Sequence, residues 1–359
     1  MKNLASSDIV QIRYLRLSDE REMKRWDEFA SAHPKATPFH LSGWLKTISE
    51  TYAIDPWLVA LEDANGKIAA LTPFFRLKRL LGSRRLVCLP FSDYCFPLGL
   101  EEAHVDQLLL EIIREPNLRA KSIEIRGPIE SPSGFSACSY YKRHLLRLNG
   151  DPQEVLKGVD KRTIKYNIRK ARKEGVEIIE ENSTKGIDDF FRLYVLTRKK
   201  HGVPHQPVEF FRALARNIID HGHASLLFAS QKSLIIAAGL FLRLNKVVYY
   251  KYNVSDPYFL TKTAPNHLLT WTAIERACLD GFEYLDFGRT APDNAGLMRH
   301  KQMWGAGIHD LPYFYHPPSS IKSTNVESGI FYKLTTRIWR RLPEPMAAKL
   351  GPVIMKYLA

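Results

Sequence analysis

The sequence predicts an α+β protein of mixed α/β type. It has two tandem domains of like design, each a mixed, mostly antiparallel sheet flanked by helices, and a basic helical tail. Two observations carry this. Both halves run through the same order of strand, helix, helix, consecutive antiparallel strands, helix and strand, roughly 150 residues apart, which marks a duplication. The 359 residues, with 45% hydrophobic and 25% charged side chains, suit two ordinary globular cores. The domains are expected at 1–150 and 151–318, with the tail at 319–359.

The elements follow in order. The alternation "IVQIRYLRL" (9–17) reads as a strand. Ser18 and Asp19 offer a cap for the helix "EREMKRWDEFASAH", and a second helix occupies 41–53. "PWLVALED" turns through Ala64-Asn65-Gly66 into "KIAALTPFFRLKRL", a strong hairpin signal. A strand and loop (84–100), a helix (101–114) and a strand (120–128) complete the first half, and 140–152 reads as the junction. Asp151-Pro152 starts a long helix reaching about residue 174, since proline is favoured at the first helical position. A strand (176–181), helices at 187–200 and 207–221, and strands at 224–230, 234–244 and 246–254 come next. A helix (266–281) leads to the strand "FEYLDFG" (282–288), a loop with a short basic helix, and a last strand (308–317).

The net charge of +14 favours acidic partners such as nucleic acid, anionic lipid or a phosphorylated substrate. Cys88, Cys95, Cys138 and Cys278 form no CxxC pair and lack histidine at metal-ligand spacing, as expected of buried thiols in a reducing compartment. No metal site is expected. The first residues carry no signal-peptide core, and the most apolar run (234–242) is too short to span a bilayer. The expected location is the cytoplasm, with peripheral contact at the inner face of the membrane. In the tail, Ile330, Leu334, Ile338 and Leu342 recur every four residues, with Arg337, Arg340 and Arg341 between them. That spacing gives an apolar helix face flanked by cations, which suits either an anionic membrane or the protein's own domain.

Several stretches resemble the FemAB-related proteins, which include the aminoacyltransferases that build peptidoglycan interpeptide bridges. In the second half these are "KRTIKYNIRKARKEGVEI" (161–178), "HGVPHQPVEFF" (201–211), "APNHLLTWTAIERACLDGFEYLDFGRT" (264–290) and "KQMWGAG" (301–307); in the first, "PFHLSGWLKTI" (38–48) and "PFSDYCFPLGL" (90–100). "DFGR" followed by "KxxWG" is the most specific piece. The resemblance implies two tandem GNAT-like (acetyltransferase-like) domains, the first binding the acceptor. It further implies transfer of an acyl or aminoacyl group to an amine of a cell-envelope peptidoglycan or polysaccharide precursor, with no tightly bound cofactor. A glycine-rich pyrophosphate loop of the type used by CoA-dependent relatives is absent after Tyr252, so the donor stays open between acyl-CoA and aminoacyl-tRNA. A non-catalytic RNA- or lipid-binding scaffold in polysaccharide assembly is the competing reading.

The site residues follow from both lines of reading. Gly288 permits a sharp exit from the strand, and Arg289 then projects at its carboxyl end, where its planar guanidinium suits a phosphate or carboxylate of an anionic glycan precursor. An Asp286–Arg289 ion pair holding the turn is the structural alternative. Positions 301 and 304 share a helix face, so a buried Trp304 would hold Lys301 near the strand end to meet the charge that develops on the carbonyl oxygen. Lys161, Arg162, Tyr166 and Arg169, on the basic helix, are read as a grip for a diphosphate, tRNA or an anionic headgroup. Tyr250, Tyr252 and Asn253 sit near a strand end, where the resemblance places the acyl-donor cleft; Tyr252 is the candidate for removing the amine proton. Asp93, Tyr94 and Arg126 are read as polar groups of a substrate groove in the first half.

Overall fold

A computed structural model describes residues 11–78, 84–116, 120–320, 336, 337, 339–342, 346, 350, 351 and 353–355. The chain divides into two compact units, one of residues 1–140 with 311–324, the other of residues 141–310 with 325–358.

The first unit contains β1 (Gln11–Leu15), α1 (Glu20–Ala32), α2 (Ser42–Tyr52), β2 (Pro56–Glu62), β3 (Ile68–Lys78), β4 (Arg84–Val87), β5 (Leu98–Gly99), α3 (Glu102–Arg114) and β6 (Ile123–Arg126). Asp19 caps α1 by accepting from the Arg21 and Glu22 amides, as its position before the helix predicts. The hairpin of β2 and β3 forms where Asn65-Gly66 predicts it, with Gly66 at φ 75°. The sheet runs β1-β2-β3-β4-β6, antiparallel except for β4 and β6, and β5 pairs with β3. Its core centres on Trp26, Trp44, Phe74 and Phe75, all fully buried.

Strand β7 (Ser136–Arg147) carries the chain from one unit to the other. The second unit follows: α4 (Pro152–Gly158), α5 (Tyr166–Lys173), β8 (Val176–Glu180), α6 (Thr184–His201), α7 (Val208–Leu214), β9 (Ala224–Gln231), β10 (Leu234–Leu244), β11 (Val247–Ser255), α8 (Pro257–Thr263), α9 (Pro265–Leu279), β12 (Tyr284–Thr290), α10 (Ala295–Met303) and β13 (Gly307–His316). Its sheet runs β7-β12-β11-β10-β9-β8, antiparallel except for β11 and β12. Leu269, Trp271 and Ile274 of α9 pack into its core with Ile236 and Leu285 of the sheet.

Three expectations change. The unit boundary falls at 140/141, not at 150/151, because residues 142–147 are hydrogen-bonded into the second sheet; the expected junction is a strand. The last strand does not end the second unit. Its residues from Leu311 belong to the first, where Tyr313–His316 pair with β6. The long basic helix is broken at Val159. Asp160 accepts from the Thr163 amide and starts a new segment, Lys161–Lys165, wound as a π-helix before α5.

The tail packs on its own unit where it is described. Gly202, in left-handed conformation, leaves no room for a side chain beside the Thr336 carbonyl and the Arg340 stem, and Gly351 lies against His205. Trp339 and Met355 are buried. Ile330, Leu334 and Ile338 lie outside the described residues. No helix among those described is long and apolar enough to cross a membrane.

Candidate functional site

The site forms around the end of β12. In its ladder with β7, Asp286 faces Leu145 and Arg289 faces Arg143, so Phe287 and Gly288 together oppose His144 alone. This bulge needs glycine: Gly288 sits at φ 72°, a region costly for a residue with a Cβ. Asp286 clamps the bulge from inside. Only 1% exposed, it accepts from the Gly288 amide at 2.7 Å and from Arg143 Nε at 2.8 Å.

Helix α10 brings Lys301 to the bulge. Asn294 caps the helix through the Leu297 amide, and Lys301 occupies its last turn. The lysine is 6% exposed, and its Nζ donates to the Gly288 carbonyl at 3.0 Å and the Arg289 carbonyl at 3.1 Å. Both are neutral acceptors, so these bonds fix the ammonium without cancelling its charge. Trp304 ends the helix, buried, with its ring 6.3 Å from His267 and 6.4 Å from Phe287. Trp304 is thus buried and Lys301 is held at the end of β12, where the sequence places them. Asp286 is engaged by Arg143, and the Arg289 guanidinium lies over the Tyr141 ring at 4.3 Å.

Histidines surround this seat, and sequence reasoning placed none of them in the site. His144 is fully buried, and its pKa is pushed down to about 4 by burial and then by the Lys301 ammonium. His267 is likewise lowered to about 4 by burial and by His300, whose ring is 5.8 Å away. Two of these could have been found: His300 adjoins Lys301, and His267 opens α9.

The strand tyrosines separate. Register places Tyr250 opposite Phe241 and Tyr252 opposite Leu240, leaving Lys251 as an extra residue in a bulge. Tyr250 stacks on Phe241 at 4.4 Å and meets Thr270 of α9, and burial pushes its phenol up. Tyr252 instead joins Phe190, Tyr194 and Phe211 of α6 and α7. Asn253 is exposed.

On the basic segment, Lys161, Arg162, Tyr166 and Arg169 reach the surface, Tyr166 at 60% exposure, while Ile164, Ile168 and Ala171 face the core. Lys170 Nζ donates to the Thr261 carbonyl at 2.7 Å, tying α5 to α8. On α8, Tyr258 is exposed beneath the Lys262 ammonium, 3.5 Å from the ring centre.

In the first unit, the three expected groove residues have structural partners. The Asp93 carbonyl accepts from the Tyr313 hydroxyl at 2.9 Å, and Tyr94 is buried beside Phe39 and Phe96. Arg126, 9% exposed, pairs with Glu124 at 2.7 Å and donates to the Leu89 carbonyl. A separate cavity of about 570 Å³ lies between the end of α1 and the start of α3, lined by Phe29, His33, Phe96, Leu100, Glu102 and Glu130 among others. Among the described residues, no three His, Cys, Asp or Glu side chains are grouped to hold a metal.

The family model for the acetyltransferase (GNAT) domain matches residues 160–302, which include the basic segment, β12 and Lys301. The UDP-N-acetylmuramoylpentapeptide-lysine N(6)-alanyltransferase of Weissella viridescens is 24% identical over 288 residues, covering 72% of this chain and 82% of that protein. Among solved structures, the crystal structure of FemX superposes with a TM-score of 0.66 at 14% identity, over 85% of this chain and 96% of that one. A tandem GNAT protein from the clavulanic acid biosynthesis pathway gives 0.53 at 10% identity, over 86% and 98%. The fold is the mixed, mostly antiparallel GNAT fold that the sequence predicts.

Proposed function

We propose that this chain, a FemAB-like acyltransferase of GNAT fold, moves an aminoacyl group onto an amine of a peptidoglycan precursor. The single observation that carries the proposal is the buried Lys301 ammonium, fixed on the carbonyls of the β12 bulge inside the segment matched as an acetyltransferase domain. The alanyltransferase relative supplies the class of acceptor, an amine of a UDP-linked muramoyl peptide. Neither the family match nor that relative supports the scaffold reading.

The chemistry is direct transfer. The neutral acceptor amine attacks the donor carbonyl, and its nitrogen gains the bond to carbon. The carbonyl oxygen becomes an oxyanion, which Lys301 stabilises, and such fixed charges are often the largest contribution to catalysis. Collapse expels the donor's leaving group, a ribose hydroxyl of aminoacyl-tRNA, which takes up the proton lost by the amine. Arg289 holds an anionic part of the acceptor. The Tyr252 ring packs among Phe190, Tyr194 and Phe211, so the proton passes through water, or directly to the leaving hydroxyl. Lys161, Arg162, Tyr166 and Arg169 present cations and an exposed ring to the donor, chemistry that fits the phosphates and bases of an RNA better than a small thioester. The first unit binds the acceptor.

The test incubates the purified protein with UDP-N-acetylmuramoyl pentapeptide and, in parallel, a charged tRNA pool or acyl-CoA esters, with mass spectrometry of the product. An aminoacylated precursor formed only in the tRNA arm is expected. No product in either arm removes the reading, and product in the CoA arm alone replaces the donor.

A further inference from the structure

One buried group beside Lys301 has no role in the transfer as written. His144 lies in β7, fully buried, and is the one residue facing the two-residue bulge of Phe287 and Gly288. Its Nδ1 stands 3.4 Å from the Thr290 hydroxyl, which is itself buried. Its Nε2 makes no well-formed hydrogen bond. The charged and titratable groups that act on it come from three elements: Lys301 of α10, Asp286 of β12 and His309 of β13. After burial, the lysine has the largest effect; the Gly288 carbonyl and Asp286 pull the other way.

We propose that His144 is a positioning residue for Lys301, an uncharged imidazole that fills the space opposite the bulge and keeps the Gly288 and Arg289 carbonyls turned to the ammonium. The geometry gives each part of the ring a task. A bulge leaves its extra residue unpaired in the ladder, so its shape depends on what fills the facing position. A flat ring fills that space. Its Nδ1 meets the Thr290 hydroxyl, which an apolar ring would leave buried without this partner. The ring must also stay neutral, because a second buried cation beside Lys301 would drive the ammonium from its seat. Phenylalanine fails the hydrogen bond, and lysine or arginine fails the charge.

The inference rests on Lys301 as the oxyanion group, but the coupling is measured without substrate. The protein is labelled with ¹⁵N-histidine, and the imidazole signal absent from His144→Gln identifies residue 144. Its titration is followed in the parent and in Lys301→Met. Loss of the facing cation should raise the His144 midpoint by roughly half a pH unit or more; an unmoved midpoint overturns the proposal. Turnover supplies the second readout. His144→Phe should lower kcat by about tenfold or more with KM within about twofold, and His144→Asn, which keeps a polar group for Thr290, should recover most of the loss. Equal kcat in His144→Phe and the parent overturns the proposal. If the parent transfers nothing, the functional reading fails, while the midpoint shift still decides the coupling.

Discussion

Each residue of the β12 seat has a separable consequence. Replacing Lys301 with Met keeps a long apolar stem in the same space and removes the charge. Turnover by the parent assay should fall about 100- to 1,000-fold, the usual cost of losing an oxyanion donor, while circular dichroism stays unchanged. Gly288→Ala tests the backbone. At φ 72° an alanine is strained, and the strain of about 1–2 kcal/mol should appear as a lower melting temperature together with lower kcat, since the same carbonyl holds Lys301. Asp286→Ala would leave Arg143 without its buried partner, and about 3–5 kcal/mol of lost stability is expected from denaturant unfolding. Much of this seat was legible in "YLDFGRT" and "KQMWG": a strand exit at glycine, then a lysine and tryptophan on one helix face. His144 was not. It stands 146 residues before Thr290, its nearest hydrogen-bonding neighbour, in a segment that reads as a junction, and only strand register shows what it faces.

Most elements were legible too, because caps and periodicity are local. Where the sequence misled, two signals competed. The basic helix looks continuous from Asp151 because its charges and apolar positions run on, yet Asp160 offers a second cap and Val159 breaks the chain between them. Helix α8 begins with Asp256-Pro257, the same start signal as Asp151-Pro152, at the place where a glycine-rich loop would fall in a CoA-dependent relative. The break in the basic helix has a use that can be tested. It presents Lys161 and Arg162 on the π-wound turn, ahead of Tyr166 and Arg169 on α5. Charge reversal of Lys161, Arg162 and Arg169 to Glu should weaken tRNA binding and reduce the slope of log affinity against log salt by about 1 for each phosphate no longer neutralised. A slope equal to the parent's would take this face out of donor binding. Tyr166→Ala should weaken binding without changing that slope, because stacking on a base releases no counterion.

At the scale of the whole chain, the duplication was visible but the exchange of strands was not. Pairing decides which unit a strand belongs to: residues 142–147 join the second sheet and 313–316 the first, against their order in sequence. Each unit then buries at least one histidine. In the first, His40 is fully buried, its ring bonded to the Phe96 carbonyl at 2.8 Å, and burial lowers its pKa to about 4; in the second, His144 is lowered to a like value. The unfolded chain binds a proton at each near pH 6.5, and the folded chain does not until about pH 4. Stability from these groups is therefore complete above pH 6.5 and falls as pH drops toward 4. Each contributes a slope of up to about 1.4 kcal/mol per pH unit in that window. Between pH 6.5 and 5 ordinary carboxylates remain ionised, so histidines dominate the change. Calorimetry from pH 7 to 5 should show unfolding of both units shifting to lower temperature. His144→Asn should reduce the dependence for the second unit, where His267 still contributes, and leave that of the first. A melting temperature independent of pH across this range would mean that these imidazoles reach water in the folded protein.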